Sequence, residues 1–250
     1  MSLNPFVRTL VAPPKDIAWA WALELPAAEP LKVGVVSELT IDPRRPPSEN
    51  ELVLWFAAPD GQGDPNVFDC LSDEERSRAG RFQFEADRWA FAAAHSGLRI
   101  LLGSMVSCAP DALRFAADAK GKPSLDHGRR SAEVRFSISH TRGCVAVAVA
   151  KRAVGVDVEL RRTLPDIAAV AKTAFAPEAY AAVLARAESS ARTSLFYRYW
   201  TLSEAFVKAT GEGIAQDTTS FAFTDEGPPE LIRVSANWGP SGRWRFACEP

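Results

Sequence analysis

Five side chains in two short stretches are of the types and at the spacing that could do chemistry together. In Val154-Gly-Val-Asp-Val-Glu-Leu160 the valines alternate with Gly155, Asp157 and Glu159, so an extended strand puts the valines on one face and both carboxylates on the other. Further along, Trp200, Glu204 and Lys208 are spaced four apart and would share one stripe of a helix. Asp157, Glu159 and Glu204 are hard oxygen donors with no thiol or imidazole beside them, a set that suits Mg2+ or Mn2+ with waters and substrate phosphates completing the shell, and suits zinc badly. Lys208, one turn beyond Glu204, is spaced to hold phosphate oxygens while a metal neutralises them. The bland alternative is a pair of strand-edge acids beside an intrahelical Glu204–Lys208 pair worth only ~0.3–0.5 kcal/mol, with Trp200 as core packing.

Smaller signals surround this pair of stretches. Ser139 and His140 end the strand-like Phe136-Ser-Ile-Ser-His140, where a donor pair could meet a phosphate. Gly121-Lys122-Pro123 reads by itself as a turn with an exposed lysine, and Arg78, Arg81, Arg88 and Arg99 read as solvated helix charges.

The elements that must position these residues follow from pattern. Glu51 to Ala57 is rich in β-formers. Ser72 with Glu75 makes a capping box that opens one helix, and an apolar stripe continues a second from about Ala86 to Ser107. Ala112 to Phe115 reads as a short strand, and Val134 to Ser139 with Cys144 to Arg152 as a hairpin. Prolines 165 and 177 open two short helices, and a long helix from about Ser190 to Thr210 stops at Gly211, with Gly213 close behind. Weak alternation after residue 216 suggests a closing antiparallel sheet. Residues 1–50 carry Pro13, Pro14, Pro26, Pro30, Pro43, Pro46 and Pro47 and read as an irregular Pro-rich extension with a possible short strand near Leu31 to Val36. The expected organisation is α+β: that extension, an N-terminal lobe over 51–152 and a C-terminal lobe over 153–250 that carries the metal site. Each lobe would be a small antiparallel sheet with a long helix.

Composition bounds the rest. With 250 residues, 47% hydrophobic and a formal net charge of −2, the chain has material for a core and no broad electrostatic reason to bind nucleic acid. Its 4 cysteines form no CxxC pair and read as free thiols in a reducing compartment. No secretory signal or membrane-spanning run is legible, so the expected location is cytoplasmic.

Taken together, Gly121-Lys-Pro123, Phe136-Ser-Ile-Ser-His140, Gly155-Val-Asp-Val-Glu159 and Phe196-Tyr-Arg-Tyr-Trp-Thr-Leu-Ser-Glu-Ala-Phe-Val-Lys-Ala-Thr-Gly-Glu-Gly213 resemble the ordered motifs of the 4′-phosphopantetheinyl transferases, in the monomeric two-lobed type that activates peptide and polyketide synthetases. The resemblance implies that coenzyme A binds between the lobes with Mg2+ on its pyrophosphate, and that the phosphopantetheine arm moves to a serine of an acyl or peptidyl carrier protein, leaving 3′,5′-ADP. By position it makes Asp157 and Glu204 metal ligands and Glu159 either a third ligand or the base for the serine proton. Lys208 would hold the pyrophosphate, Ser139 and His140 would contact coenzyme A phosphates, and Gly121, Lys122 and Pro123 would line the adenosine 3′-phosphate site, with Arg81 and Arg88 added. The alternatives are another Mg2+-dependent pyrophosphate-cleaving enzyme and a degenerate relative that only binds carrier protein or coenzyme A.

Overall fold

Alternation within each strand decides which layer its side chains enter, and the result is two sheets stacked between helices. The computed structural model describes residues 8–10, 12–26, 28–36, 45–59, 65–126, 134–211 and 217–249; Gly213 of the last motif lies outside them. In the first sheet β1 (Arg8–Leu10), β4 (Glu51–Ala58), β8 (Cys144–Ala150) and β7 (Arg135–Thr141) are antiparallel neighbours in that order, and β3 (Lys32–Val35) pairs parallel with β4. Val53 and Trp55 of β4, Phe136 of β7 and the valines of β8 point to the long helix α2 (Glu85–Val106). The opposite face, with Leu52, Leu54, Phe56, Ala146 and Ala148, packs on the second sheet.

That second sheet is β2 (Ile17–Glu24) between β9 (Val154–Leu160) and β12 (Trp244–Cys248), all antiparallel. It turns Ile17, Trp21, Leu23 and the three β9 valines to the first sheet, and Ala18, Ala20 and Ala22 to the long helix α5 (Ser189–Thr210). The fold is the α+β, two-lobed one expected, with a long helix on the outer face of each sheet. The N-terminal segment is not the irregular extension the proline count suggested. Residues 17–24 form a buried strand paired through seven residues with the strand that carries Asp157 and Glu159. Its prolines, at 13, 14, 26 and 30, lie outside that strand, where a missing N–H interrupts no ladder.

Three smaller expectations shift. Phe115 begins a strand, β5 (Phe115–Ala117), which pairs with β6 (Pro123–Leu125) after a 3-10 turn at Pro110–Ala112. The closing sheet divides: β10 (Ala222–Phe223) pairs with β11 (Leu231–Arg233), whereas β12 joins β2. Helix α3 (Ile167–Ala174) begins after Pro165, with the Asp166 carboxylate accepting from the Ala169 N–H, and α4 (Pro177–Ala185) follows.

The seam between the sheets is made by side chains. Ser137, Ser139 and Thr141 share one face of β7, and their hydroxyl oxygens accept from the N–H groups of Val156 (3.1 Å), Val158 (3.3 Å) and Leu160 (3.2 Å). Three buried or half-buried donors of β9 are thus satisfied without a strand ladder on that edge. On its other side β9 meets α5 at Gly155, where a Cβ would lie 1.9 Å from the Ala205 carbonyl oxygen. Gly155→Ala is expected to push the helix off the strand, costing at least the ~1–3 kcal/mol of an overpacked core. Ser137→Ala, which leaves only the Val156 N–H unpaired, is expected to cost ~1–3 kcal/mol. Thermal melts of the two variants against the parent check both.

Candidate active site

The close approach at Gly155 brings the carboxylate face of β9 under the stripe of α5 that carries Trp200, Glu204 and Lys208. Asp157 is 3% exposed. Its Oδ1 accepts from Lys208 Nζ at 2.6 Å and from the Ser139 hydroxyl at 2.9 Å. Lys208 Nζ also donates to Ser139 Oγ (3.1 Å) and to the Val156 carbonyl (3.3 Å). Asp157 Oδ2 is buried and has no hydrogen-bond partner among the described residues. Such an oxygen costs free energy unless something outside the chain binds it.

Glu159 and Glu204 stand in the field of that aspartate. Burial and then the Asp157 charge push Glu159 up to about 7, against the opposing pull of the Trp200 indole and Lys208. Burial and Asp157 likewise raise Glu204 above the ordinary carboxyl range. Trp200 therefore does more than pack. It stacks on Phe196 with ring centroids 5.7 Å apart, and its indole lies close enough to Glu159 to pull against that rise. The three carboxylates do not converge as a ready-made ligand set: among the described residues no group of three His, Cys, Asp or Glu is arranged to hold a metal. The physical reason is charge, because carboxylates without a cation between them repel, and Lys208 takes one oxygen of Asp157.

Beside this cluster lies a cavity of about 600 Å3. Glu204, Val207 and Lys208 of α5 form one wall, Phe136, Ser137 and Ile138 of β7 another, and Lys120 to Pro123 the hairpin side. Gly121 turns that hairpin with φ of +84°, and Asp118 Oδ1 accepts from the N–H groups of Lys120 and Lys122. Lys122 is not the exposed turn lysine of the sequence reading. Its ammonium donates to the carbonyls of Lys208 (2.5 Å) and Ala209 (3.0 Å), capping the end of α5, and burial, followed by the nearby Arg135 charge, pushes it down to about 8.

The remaining expected contacts are distributed unevenly. Ser139 is buried in the Asp157–Lys208 cluster rather than on the cavity surface. His140 stands edge-on to Phe91 at 5.9 Å and near Phe82; burial foremost, then His95, Lys208 and Arg78, push it down to about 4, so its ring is neutral at physiological pH. Arg81 and Arg88 are exposed, the latter 5.0 Å above the Phe68 ring, and neither joins the cavity wall.

The N-terminal lobe contributes Arg78 and His95 instead. The sequence pattern placed both on helices, where α1 (Asp73–Ala79) and α2 lie, but carried no signal of which face met the cavity. Arg99, expected to be a solvated charge, is 2% exposed, and its guanidinium donates to Glu75 (2.7 Å) and to the carbonyls of Pro110 and Leu113.

Comparison with known proteins agrees with this geometry. Residues 59–152 match the family described as 4′-phosphopantetheinyl transferase, N-terminal, and residues 153–248 match the 4′-phosphopantetheinyl transferase superfamily. The chain is 33% identical over 192 residues to the 4′-phosphopantetheinyl transferase HetI of Nostoc sp., covering 75% of this chain and 80% of that protein. It is 32% identical over 198 residues to a putative 4′-phosphopantetheinyl transferase of Synechocystis sp., covering 79% of each. The 4′-phosphopantetheinyl transferase Sfp of Bacillus subtilis is 26% identical over 152 residues, covering 61% of this chain and 65% of that protein. With both lobes matched and the carboxylate and lysine motifs brought together at their junction, this chain belongs to the 4′-phosphopantetheinyl transferase family and is an enzyme of that kind.

Proposed function

We propose that the protein moves the 4′-phosphopantetheine group of coenzyme A to a serine of an apo acyl or peptidyl carrier protein and releases 3′,5′-ADP. The observation that carries this reading is the Asp157–Ser139–Lys208 cluster, with one buried carboxylate oxygen unpaired, beside a cavity of about 600 Å3 that has cationic side chains on both lobes. A cavity of that size suits a ligand as large as a nucleotide with its arm.

The residues fit a divalent cation. Three carboxyls face one ammonium, two of them have a raised proton affinity, one oxygen has no partner, and every donor is oxygen. Asp157 and Glu204, with Glu159 adjoining, would hold Mg2+, which when bound supplies charge neutralisation to the pyrophosphate. Lys208 contributes a fixed positive charge from α5 to the same oxygens. The serine oxygen forms a bond to the phosphorus that carries the pantetheine arm, and the bond from that phosphorus to the bridging oxygen breaks, leaving the adenosine 3′,5′-bisphosphate with that oxygen on its 5′-phosphate. Glu159, whose carboxyl burial pushes up to about 7, receives the serine proton. No protein nucleophile is needed. Both cavity walls come from one chain, which supports action as a monomer; among the described residues no helix is long and apolar enough to cross a membrane.

The direct test incubates the protein with coenzyme A, Mg2+ and apo-carrier and reads the carrier's mass. The phosphopantetheine increment is expected, and Asp157→Ala is expected to lose it while remaining folded. Consumption of coenzyme A without a carrier adduct would favour a different pyrophosphate-cleaving reaction, and binding without turnover a non-catalytic relative.

Two further outcomes follow from the charges. Glu159 titrates at about 7 when folded against an ordinary 4.5, so the folded state holds this proton more tightly and its contribution to stability falls as pH rises between those values. His140, lowered to about 4, acts in the opposite sense over much of the same range, so the comparison is made with Glu159→Gln. In EDTA the Gln variant is expected to gain melting temperature relative to the parent from about pH 5 to about pH 7, and Mg2+ is expected to close the gap.

Lys122→Met removes the cap on α5 and is expected to lower the melting temperature and to weaken coenzyme A and dephospho-coenzyme A equally. A loss confined to coenzyme A in calorimetric titration would return the ammonium to the 3′-phosphate.

A further inference from the structure

The N-terminal wall of the cavity holds an imidazole that the reaction as described leaves unused. His95 Nδ1 lies 3.1 Å from Glu75 Oε1, and the ring stacks on Phe91 with centroids 4.1 Å apart and planes 30° apart. These two contacts fix both the plane and the direction of the ring, leaving Nε2 as its remaining polar atom on a side chain that lines the cavity. Glu75 is itself held through its other oxygen. Its Oε2 accepts from Arg99 Nε (2.7 Å) and from the Ser72 N–H (2.8 Å). Burial alone would raise this carboxyl, yet the hydrogen bonds from His95, Arg99 and the Ser72 backbone hold it down to about 2, so it stays ionised behind the ring.

With Nδ1 giving its proton to that carboxylate, Nε2 meets a ligand as a donor only when it too carries a proton. Arg78, on the same wall and 5.4 Å above the Phe91 ring, faces the cavity with it. Across the cavity the Lys122 ammonium is engaged by helix carbonyls, so the hairpin side offers less cationic charge to a ligand than its sequence suggests.

We propose that the Glu75–His95 pair is a further substrate-binding element of this enzyme, with protonated His95 donating Nε2–H to a phosphate oxygen of coenzyme A. This rests on the coenzyme A reading above. Coenzyme A offers two sources of that chemistry, its 3′-phosphate and its pyrophosphate. Binding then depends on that second proton, so affinity falls as pH rises. The other charged groups facing the ring are Glu75 and Arg78 on α1, Arg99 on α2 and His140 on β7, and His140 is already neutral there.

The test is calorimetric binding of coenzyme A and dephospho-coenzyme A at about pH 6 and about pH 8, for the parent enzyme, His95→Ala and His95→Gln, with a melt of each to confirm folding. The parent is expected to bind coenzyme A roughly tenfold more tightly than His95→Ala at the lower pH, with the difference shrinking at the higher one. His95→Gln, which keeps an amide donor without a charge, recovers part of the affinity and none of the pH dependence. A loss confined to coenzyme A assigns the contact to the 3′-phosphate, and a pH-dependent loss shared with dephospho-coenzyme A assigns it to the pyrophosphate. Unchanged affinity in a folded variant, or a loss that is the same at both pH values, overturns the proposal. A parent enzyme that fails to bind coenzyme A at all overturns the functional reading itself, which separates the two failures.

Discussion

The site depends on one short contact, the seating of helix α5 on strand β9 at Gly155. Any side chain there would meet the Ala205 carbonyl at 1.9 Å, so the absence of a Cβ sets how close the helix comes. One turn of α5 separates Glu204 from Lys208, and Ala205 lies between them. The contact that admits Ala205 is therefore the one that lowers both charged groups onto Asp157. On the other side, the hydroxyls of Ser137, Ser139 and Thr141 lock β9 to β7 and fix its distance from the N-terminal lobe. Ser139 belongs to both arrangements, accepting from the Val158 backbone while donating to Asp157.

Around this seat the electrostatics are unbalanced in one direction. Lys208 is the counter-charge on Asp157, while burial and then the Asp157 charge make Glu159 and Glu204 hold protons more tightly. The sheet behind Asp157, with the β9 valines and Ile17, Trp21 and Leu23 of β2, is apolar and offers the unpaired oxygen no donor, so that oxygen stays costly until a ligand meets it. Support from outside the cluster is equally specific, with the Lys122 ammonium capping the last turn of α5 just beyond Lys208.

The N-terminal lobe meets the cavity through a second ionic network built on a helix cap. Glu75 closes the capping box of α1 and at the same time receives His95 and the buried Arg99, which in turn holds the carbonyls at Pro110 and Leu113. One carboxylate thus ties the start of α1, the middle of α2 and the loop after it. A cap that is ordinarily worth about 1 kcal/mol at a helix end here also orients a cavity-lining ring.

Much of the fold and of the site was legible because it rests on local periodicity. The alternation in 154–160 separates valines from acids on any strand, the four-residue spacing of Trp200, Glu204 and Lys208 shares a stripe on any helix, and Ser72 with Glu75 caps α1 as its sequence says. What the sequence could not decide was which surfaces meet across long separations. The strand at 17–24 looked like part of a proline-rich lead because its pairing partners lie at 154–160 and 244–248, and a strand whose two faces are both apolar carries no alternation to announce it. By local pattern Lys122 is a turn lysine and Arg99 a solvated charge, and nothing in the pattern marks His95. Their roles depend on the end of α5, the loop at 110–113 and the Glu75 carboxylate, partners that only the packed chain brings within hydrogen-bond reach.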